Sequence, residues 1–248
     1  MATPLSIVMP VYNEAGAIAE VVGELRRDVL ARLDGAEIVM VDDGSTDASP
    51  EILDRLAAEH ADVRVFHAER NQGHGPSLRR GFEESSGEWL FQMDSDGQQV
   101  PGEIWDLWAL REQADVIVGV RRGRTEGRHR DFVSAAARWA TRAAGAGRMR
   151  DVNVPFKLIR REVWDDLRDD IPPLPVAPSL LIAVGARVRG WRVTEVEISH
   201  LPRRAGDSTV DLRLLARLTT GALRELIGFR RRITRRASAA EQPVTAAS

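Results

Sequence analysis

The sequence predicts an α/β protein built on a doubly wound, mostly parallel sheet with flanking helices. Short apolar runs rich in β-branched residues recur at 5–11, 37–41, 63–67, 89–93 and 115–120, each bounded by turn formers. Strands buried on both faces look like this. Between them, 15–33, 47–59, 77–85 and 101–112 carry apolar residues at three- and four-residue spacing, the mark of amphipathic helices. Strand and helix therefore alternate, and in such a sheet ligands gather where strands end at their carboxyl edge. Three polar clusters fall at that edge: Tyr12-Asn13-Glu14, Asp42-Asp43 and Asp94-Ser95-Asp96.

After Arg121 the alternation stops. An arginine- and glycine-rich loop leads to a predicted helix over 132–144, then to strands over 156–160 and 191–199, with Pro172, Pro173, Pro175 and Pro178 marking a loop between them. Residues 212–229 read as a helix with apolar positions at 212, 215, 218, 222, 223, 226 and 229, closing on Arg230-Arg231-Arg232 and Arg235-Arg236. The expected organisation is one catalytic unit over 1–211, a basic amphipathic segment over 212–236, and a small, polar, mobile tail over 237–248.

A chain of 248 residues, 43% of them hydrophobic, can bury a substantial core. Its longest apolar run, 180–186, falls far short of the roughly 18 residues a membrane span needs. The N-terminus lacks the basic-then-apolar pattern of a secretory signal, and the absence of cysteine excludes disulfides. The expectation is a cytoplasmic protein, peripheral at the inner face of the membrane. The net charge of −2 conceals an asymmetry: residues 1–118 hold 9 basic and 23 acidic groups, whereas 119–150 and 212–236 each carry a net +7. The acidic half suits a metal; the two basic segments suit phosphates or an anionic membrane surface, with solvated helix faces as the plain alternative. No nucleic-acid partner is expected. Lys157 is the only lysine among 35 basic residues, which reads as a coding bias without functional weight.

Asp94 and Asp96, in Met93-Asp94-Ser95-Asp96-Gly97-Gln98, leave a strand at alternate positions, so both carboxylates can face one hard divalent ion that a diphosphate completes. A solvated turn has the same composition. In Val41-Asp42-Asp43-Gly44-Ser45 a carboxylate can accept hydrogen bonds from a nucleobase edge while Gly44 permits close approach; helix capping is the alternative, and the expected role of Asp47. In Pro10-Val11-Tyr12-Asn13-Glu14 an aromatic ring can lie against a base and Glu14 can meet a ribose hydroxyl, although an ordinary strand-end loop reads alike.

Taken in order, V-Y-N-E, V-D-D-G-S-T-D, N-Q-G-H-G-P-S-L-R-R-G-F and M-D-S-D-G-Q resemble the family 2 glycosyltransferases, and more narrowly the branch of dolichyl-phosphate mannose synthase and bacterial polyprenyl-phosphate glycosyltransferases. The resemblance covers residues 5–122 well and 128–210 more weakly. It implies a GT-A fold, a UDP- or GDP-sugar donor, Mg2+ or Mn2+, and a polyprenyl phosphate acceptor. Carried over position by position, Pro10, Tyr12, Glu14, Val41 and Asp43 are the nucleoside contacts. Asp94, Ser95 and Asp96 meet the donor, the two aspartates through metal and diphosphate, and Gln98 is a further metal ligand. Arg121 lies near the phosphates, and Arg130 and Ser134 reproduce an Arg-x-x-x-Ser spacing that holds the acceptor phosphate. Arg203 belongs to a loop that closes over the donor.

Two departures stand out. Thr209 occupies the position of a loop lysine, leaving Arg204 as a substitute, and Pro155 stands where the branch has a flexible glycine. The resemblance implies direct displacement with inversion, since an ionised phosphate needs no strong general base and the sequence offers no evident nucleophile for a covalent intermediate. The competing reading within the family is a soluble hydroxyl acceptor, which needs a base; Asp151 is the candidate. A dinucleotide-binding oxidoreductase, suggested by Gly73 and Gly75 before a helix, lacks its third glycine, where Leu78 stands. A binding protein with a degenerate site is disfavoured by the complete donor set.

Overall fold

The computed structural model describes residues 3–122, 147, 149–151, 154–202 and 212–240. Its strands are β1 (Leu5–Val11), β2 (Glu37–Asp42), β3 (Val63–His67), β4 (Trp89–Met93), β5 (Val116–Arg121), β6 (Phe156–Arg160) and β7 (Val193–Ile198). They form one sheet in the order β3-β2-β1-β4-β6-β5-β7. All neighbours run parallel except β6, which is antiparallel to both β4 and β5. The chain winds outward from β1 through β2 to β3 and then returns to place β4 on the other side of β1. That reversal opens a crevice beyond the carboxyl ends of β1 and β4, where doubly wound sheets bind ligands.

Seven helices flank the sheet among the described residues: α1 (Ile18–Asp28), α2 (Ser49–Glu59), α3 (His74–Glu84), α4 (Ile104–Trp108), α5 (Arg161–Leu167), α6 (Pro178–Val188) and α7 (Leu212–Ala240). The two-residue period of β1 sorts them into two layers. Leu5, Ile7, Met9 and Val11 pack with Ile18, Val21, Leu25, Leu53, Ile104 and Leu107 of α1, α2 and α4. Val8 faces the other way, into a cluster with Leu78 and Phe82 of α3, Trp164 of α5, Leu181 and Ile182 of α6, and Phe229 of α7. With both faces covered, every residue of β1, β2 and β4 is buried, which explains their near-continuous apolar runs.

The sequence-based expectation holds for all seven strands, with β2, β5 and β7 differing at their ends by one or two residues. Two helices went unforeseen. In α6 all residues from Pro178 to Ala186 are buried, so it has no polar face and hence no amphipathic period to reveal it. Each fully buried Leu or Ile there contributes about 1.5–3 kcal/mol relative to exposure. The other, α5, is too short for a period to register. Helix α7 passes the expected end at Phe229, and the end of the basic segment at Arg236, and runs to Ala240, because Arg, Ala and Ser continue a helix readily. The tail expected from 237 therefore begins inside a helix; residues 241–248 and the helix expected over 132–144 lie outside the described residues.

Candidate active site

The crevice is built by tying three strand-end loops together. After β1, Asn13 adopts φ 55, a left-handed conformation that asparagine tolerates. Its side-chain oxygen accepts from Thr46 N at 2.8 Å and its own N–H donates to Ser45 Oγ at 3.0 Å. Glu14 N donates to Ser49 Oγ and Ala15 N to Asp47 Oδ2. Asp47 also accepts from Ser49 N at the start of α2, so it joins two loops besides its expected capping role. Burial opposes the ionised form of Asp47, but these hydrogen bonds outweigh it and hold its pKa below the usual carboxylate range.

After β2, Asp42 is buried and accepts from Ser45 N at 3.0 Å and from His67 at 2.9 Å. Burial alone would lower the His67 pKa; its bonds to Asp42 and Asp54 outweigh burial and raise it. Asp43 gathers the third loop, accepting from Gln72 N at 2.9 Å and Gly73 N at 2.8 Å. Gly44, at φ 69, is needed for that approach: a Cβ there would lie 2.6 Å from the Arg70 carbonyl carbon.

At the end of β4, Ser95 Oγ donates to the Pro10 carbonyl at 2.9 Å, joining the β1 and β4 edges. Gly97 turns the chain at φ 71, and Gln98 N donates to Asp96 Oδ1 at 3.0 Å. Asp96 is 5% exposed, whereas Asp94 is partly open, with His74 Nδ1 4.0 Å from its Oδ1. Gln98 Nε2 donates to the Leu201 carbonyl, leaving its amide oxygen as the group available to a ligand. At the end of β5, Arg121 grips Asp151 with two bonds of 2.9 and 3.2 Å. A cleft of about 70 Å3 is lined by Asp94, Gln98, Arg121, Val154, Pro155 and His200.

The fold thus brings Asp94, Gln98 and Arg121 to one cleft, with Asp96 and Ser95 in the turn beside it. Tyr12 is 43% exposed at the edge of the β1 loop, while Pro10, Glu14, Val41 and Asp43 are buried. The side chain of Val41 therefore belongs largely to the sheet. Arg130, Ser134 and Arg203 lie outside the described residues. His200 and Val154 line the cleft although nothing in the sequence singled them out; His200 stands in the segment before Arg203, three residues upstream. Among the described residues no cluster of three or more His, Asp or Glu side chains could cage a metal by itself. Two carboxylates and an amide oxygen are instead a partial set of hard donors, which fits Mg2+ or Mn2+ when phosphate oxygens complete the shell.

Residues 6–168 match the family described as Glycosyl transferase family 2. The chain is a family 2 glycosyltransferase. Glycosyltransferase AglD of Haloferax volcanii is 32% identical over 219 residues, covering 84% of this chain and 34% of that protein. The undecaprenyl-phosphate 4-deoxy-4-formamido-L-arabinose transferase of Pseudomonas syringae pv. syringae is 35% identical over 245 residues, 91% of this chain and 69% of that relative. This glycosyltransferase thus spans about a third of the length of AglD and about two-thirds of the second relative. The fold matches glucosyl-3-phosphoglycerate synthase from Mycobacterium tuberculosis, solved with Mn2+, UDP-glucose and phosphoglyceric acid, at a TM-score of 0.71 and 21% identity, over 92% of this chain and 80% of that one.

In this glycosyltransferase Asp43 already spends one lone pair of each oxygen on the Gln72–Gly73 backbone. Asp43→Ala is expected to weaken nucleoside diphosphate binding by about 1–3 kcal/mol, and to free the 70–73 loop as well. Titration calorimetry with UDP and GDP measures the first effect, and equal affinity in the variant would argue against a base contact at Asp43.

Proposed function

We propose that this enzyme transfers a hexose, with inversion, from a UDP- or GDP-sugar to a polyprenyl phosphate at an anionic membrane surface on the cytoplasmic side. The observation that carries the reading is the cleft in which Asp94, Gln98 and Arg121 converge at the carboxyl edge of β4 and β5. Of the two donors UDP is favoured, because the fold neighbour was solved with UDP-glucose. The acceptor is suggested by the undecaprenyl-phosphate relative.

Tyr12 and Asp43 take the base, Glu14 the ribose, and Pro10, Val41 and Ser95 shape the floor beneath them. Asp94, Asp96 and Gln98 hold Mg2+ or Mn2+, which when bound supplies Lewis-acid stabilisation of the departing nucleoside diphosphate. Arg121 and Arg203 offset the phosphate charge, and Arg130 and Ser134 receive the acceptor phosphate. That phosphate, with a second pKa near 6, is largely ionised at neutral pH and attacks without a strong base. Asp151, the base that a soluble hydroxyl acceptor would call on, has both carboxylate oxygens committed to Arg121, which counts against that alternative.

The approach to the membrane falls to α7 and the proline loop. No helix among the described residues is long and apolar enough to cross a membrane. Leu226, Phe229 and Ile233 turn into the core, but Leu223 and Ile227 remain exposed, as do Leu174 and Val176 of the loop before α6. Glu225 joins the two elements by accepting from Val176 N and Ala177 N at 2.9 and 3.0 Å. Apolar side chains beside Arg224, Arg230 and Arg231 suit an anionic bilayer, each arginine contributing about 1 kcal/mol before screening.

The test is a panel of UDP- and GDP-sugars with Mn2+ or Mg2+, offered polyprenyl phosphate or phosphoglyceric acid and read by mass spectrometry. A glycosylated polyprenyl phosphate is expected, and product only with phosphoglyceric acid would favour the soluble acceptor. In parallel, the protein should sediment with anionic vesicles at low salt and be released at high salt, with Ile227→Glu weakening the binding. Indifference to lipid charge would remove the membrane from the reading.

A further inference from the structure

Lys157 is the only lysine in a chain whose other 34 basic residues are arginine, and it is fully buried in the middle of β6. Its ladder partners are Gln92 on β4 and Val118 on β5. The ammonium donates to the Val154 carbonyl and to Ser179 Oγ at the start of α6, and Ser179 Oγ itself lies 3.5 Å from the same carbonyl. Gln92, buried beside it, has neither amide atom in a hydrogen bond. Burial draws the Lys157 pKa down to about 7, against the opposing pull of Asp151 and Asp94. Removing an ammonium from water costs several kcal/mol, so a chain that writes arginine elsewhere has not placed lysine here for solubility. A compact point charge fits an enclosed site that a planar guanidinium would overfill.

The contacts have a local consequence. Val154 and Pro155 line the same cleft as Asp94 and Arg121 and make part of its wall. Pro155 has no N–H, so this wall cannot be anchored through its own backbone donor at that position. We propose that Lys157 is a positioning residue: from inside the sheet it fixes the Val154–Pro155 wall and so sets how the acceptor phosphate reaches the space between Arg121 and Asp94. Lys157 touches no substrate in this arrangement; it acts through the Val154 carbonyl and through Ser179. The link to acceptor approach rests on the acceptor proposed above, whereas the anchoring of the wall does not.

The test compares Lys157→Met, which keeps the length and removes the charge and donors, Lys157→Arg, and Ser179→Ala, which removes one partner without burying a new group. Hydrogen exchange of the Val154 amide and the amides from 156 to 158 reports the wall, and steady-state kinetics with a UDP-sugar and a polyprenyl phosphate report the acceptor. For Lys157→Met, exchange is expected to rise at least tenfold in that segment with β1 and β2 still protected. The acceptor KM should rise at least tenfold while the donor KM stays within twofold. Lys157→Arg is expected to behave like Lys157→Met, and Ser179→Ala to move in the same direction by less. Unchanged exchange in the segment, or equal loss across donor KM, acceptor KM and the whole sheet, overturns the proposal. Wild-type protein that fails to glycosylate polyprenyl phosphate would sink the acceptor assignment instead, and the exchange measurement would still decide whether Lys157 holds the wall.

Discussion

Asp96→Asn is expected to lower kcat by about a thousandfold or more while leaving the fold intact. Removing one well-placed electrostatic contact to a developing charge already costs about 100- to 1000-fold, and on the proposed role of Asp96 as a metal ligand, loss of the carboxylate also threatens occupancy of the metal. The geometry explains why the fold should survive. Asp96 is nearly buried and accepts from Gln98 N within its own turn, and an asparagine oxygen can accept the same bond. Unfolding curves of the two proteins should nearly coincide, and single-turnover kinetics at saturating Mn2+ would give the loss. A rate unchanged by the substitution would remove Asp96 from the chemistry, and a collapsed melting curve would make it a structural residue.

Asp151→Ala is expected to destabilise the protein by about 3 kcal/mol and to depress transfer as well. Exposed ion pairs contribute about 0–1 kcal/mol, but breaking a buried one costs about 3–5 kcal/mol because the surviving charge is left uncompensated. The Asp151 side chain is 7% exposed and that of Arg121 18%, which places the pair near the lower end of the buried range. Urea denaturation gives the difference directly, and an unchanged midpoint would show that water already carries the arginine. The pair also alters how an activity loss should be read. From the sequence, Asp151 is the candidate base for a hydroxyl acceptor, so a loss on Asp151→Asn would favour that rival. In the folded protein the same substitution loosens Arg121, and activity falls whichever acceptor is used. Product analysis, and not the Asp151 variant, separates the two acceptors.

Legibility differed sharply between the two halves of the chain. In residues 5–121 every strand except the half-exposed edge strand β3 is buried on both faces and each flanking helix on one, so hydrophobic period and turn composition were enough. The polar clusters at the carboxyl edge were placed correctly for the same reason, because a parallel doubly wound sheet sends every strand end to one side. Beyond Arg121 the periods fail. Helix α6 is apolar on all sides, and β6 inserts antiparallel between β4 and β5, a partner choice that no local pattern encodes. The apolar stripe of α7 does not form one surface: Leu226 and Phe229 pack inward while Leu223 stays outside, beside Ile227, which lies off the stripe.

By itself the sequence determined the alternating sheet, the family, and the carboxylates and arginine gathered at one edge, since these follow from short-range period and from motifs whose chemistry is local. Tertiary structure alone decided what those residues do to one another. Asp43 is bound to the Gln72–Gly73 backbone, Asp151 to Arg121 thirty positions away, and Lys157 to Ser179 on a helix with no readable pattern. A lone lysine among arginines reads as composition until its burial is known. The physical reason is that desolvation and hydrogen-bond partnership depend on which elements pack together, and packing is set by contacts far apart in the chain.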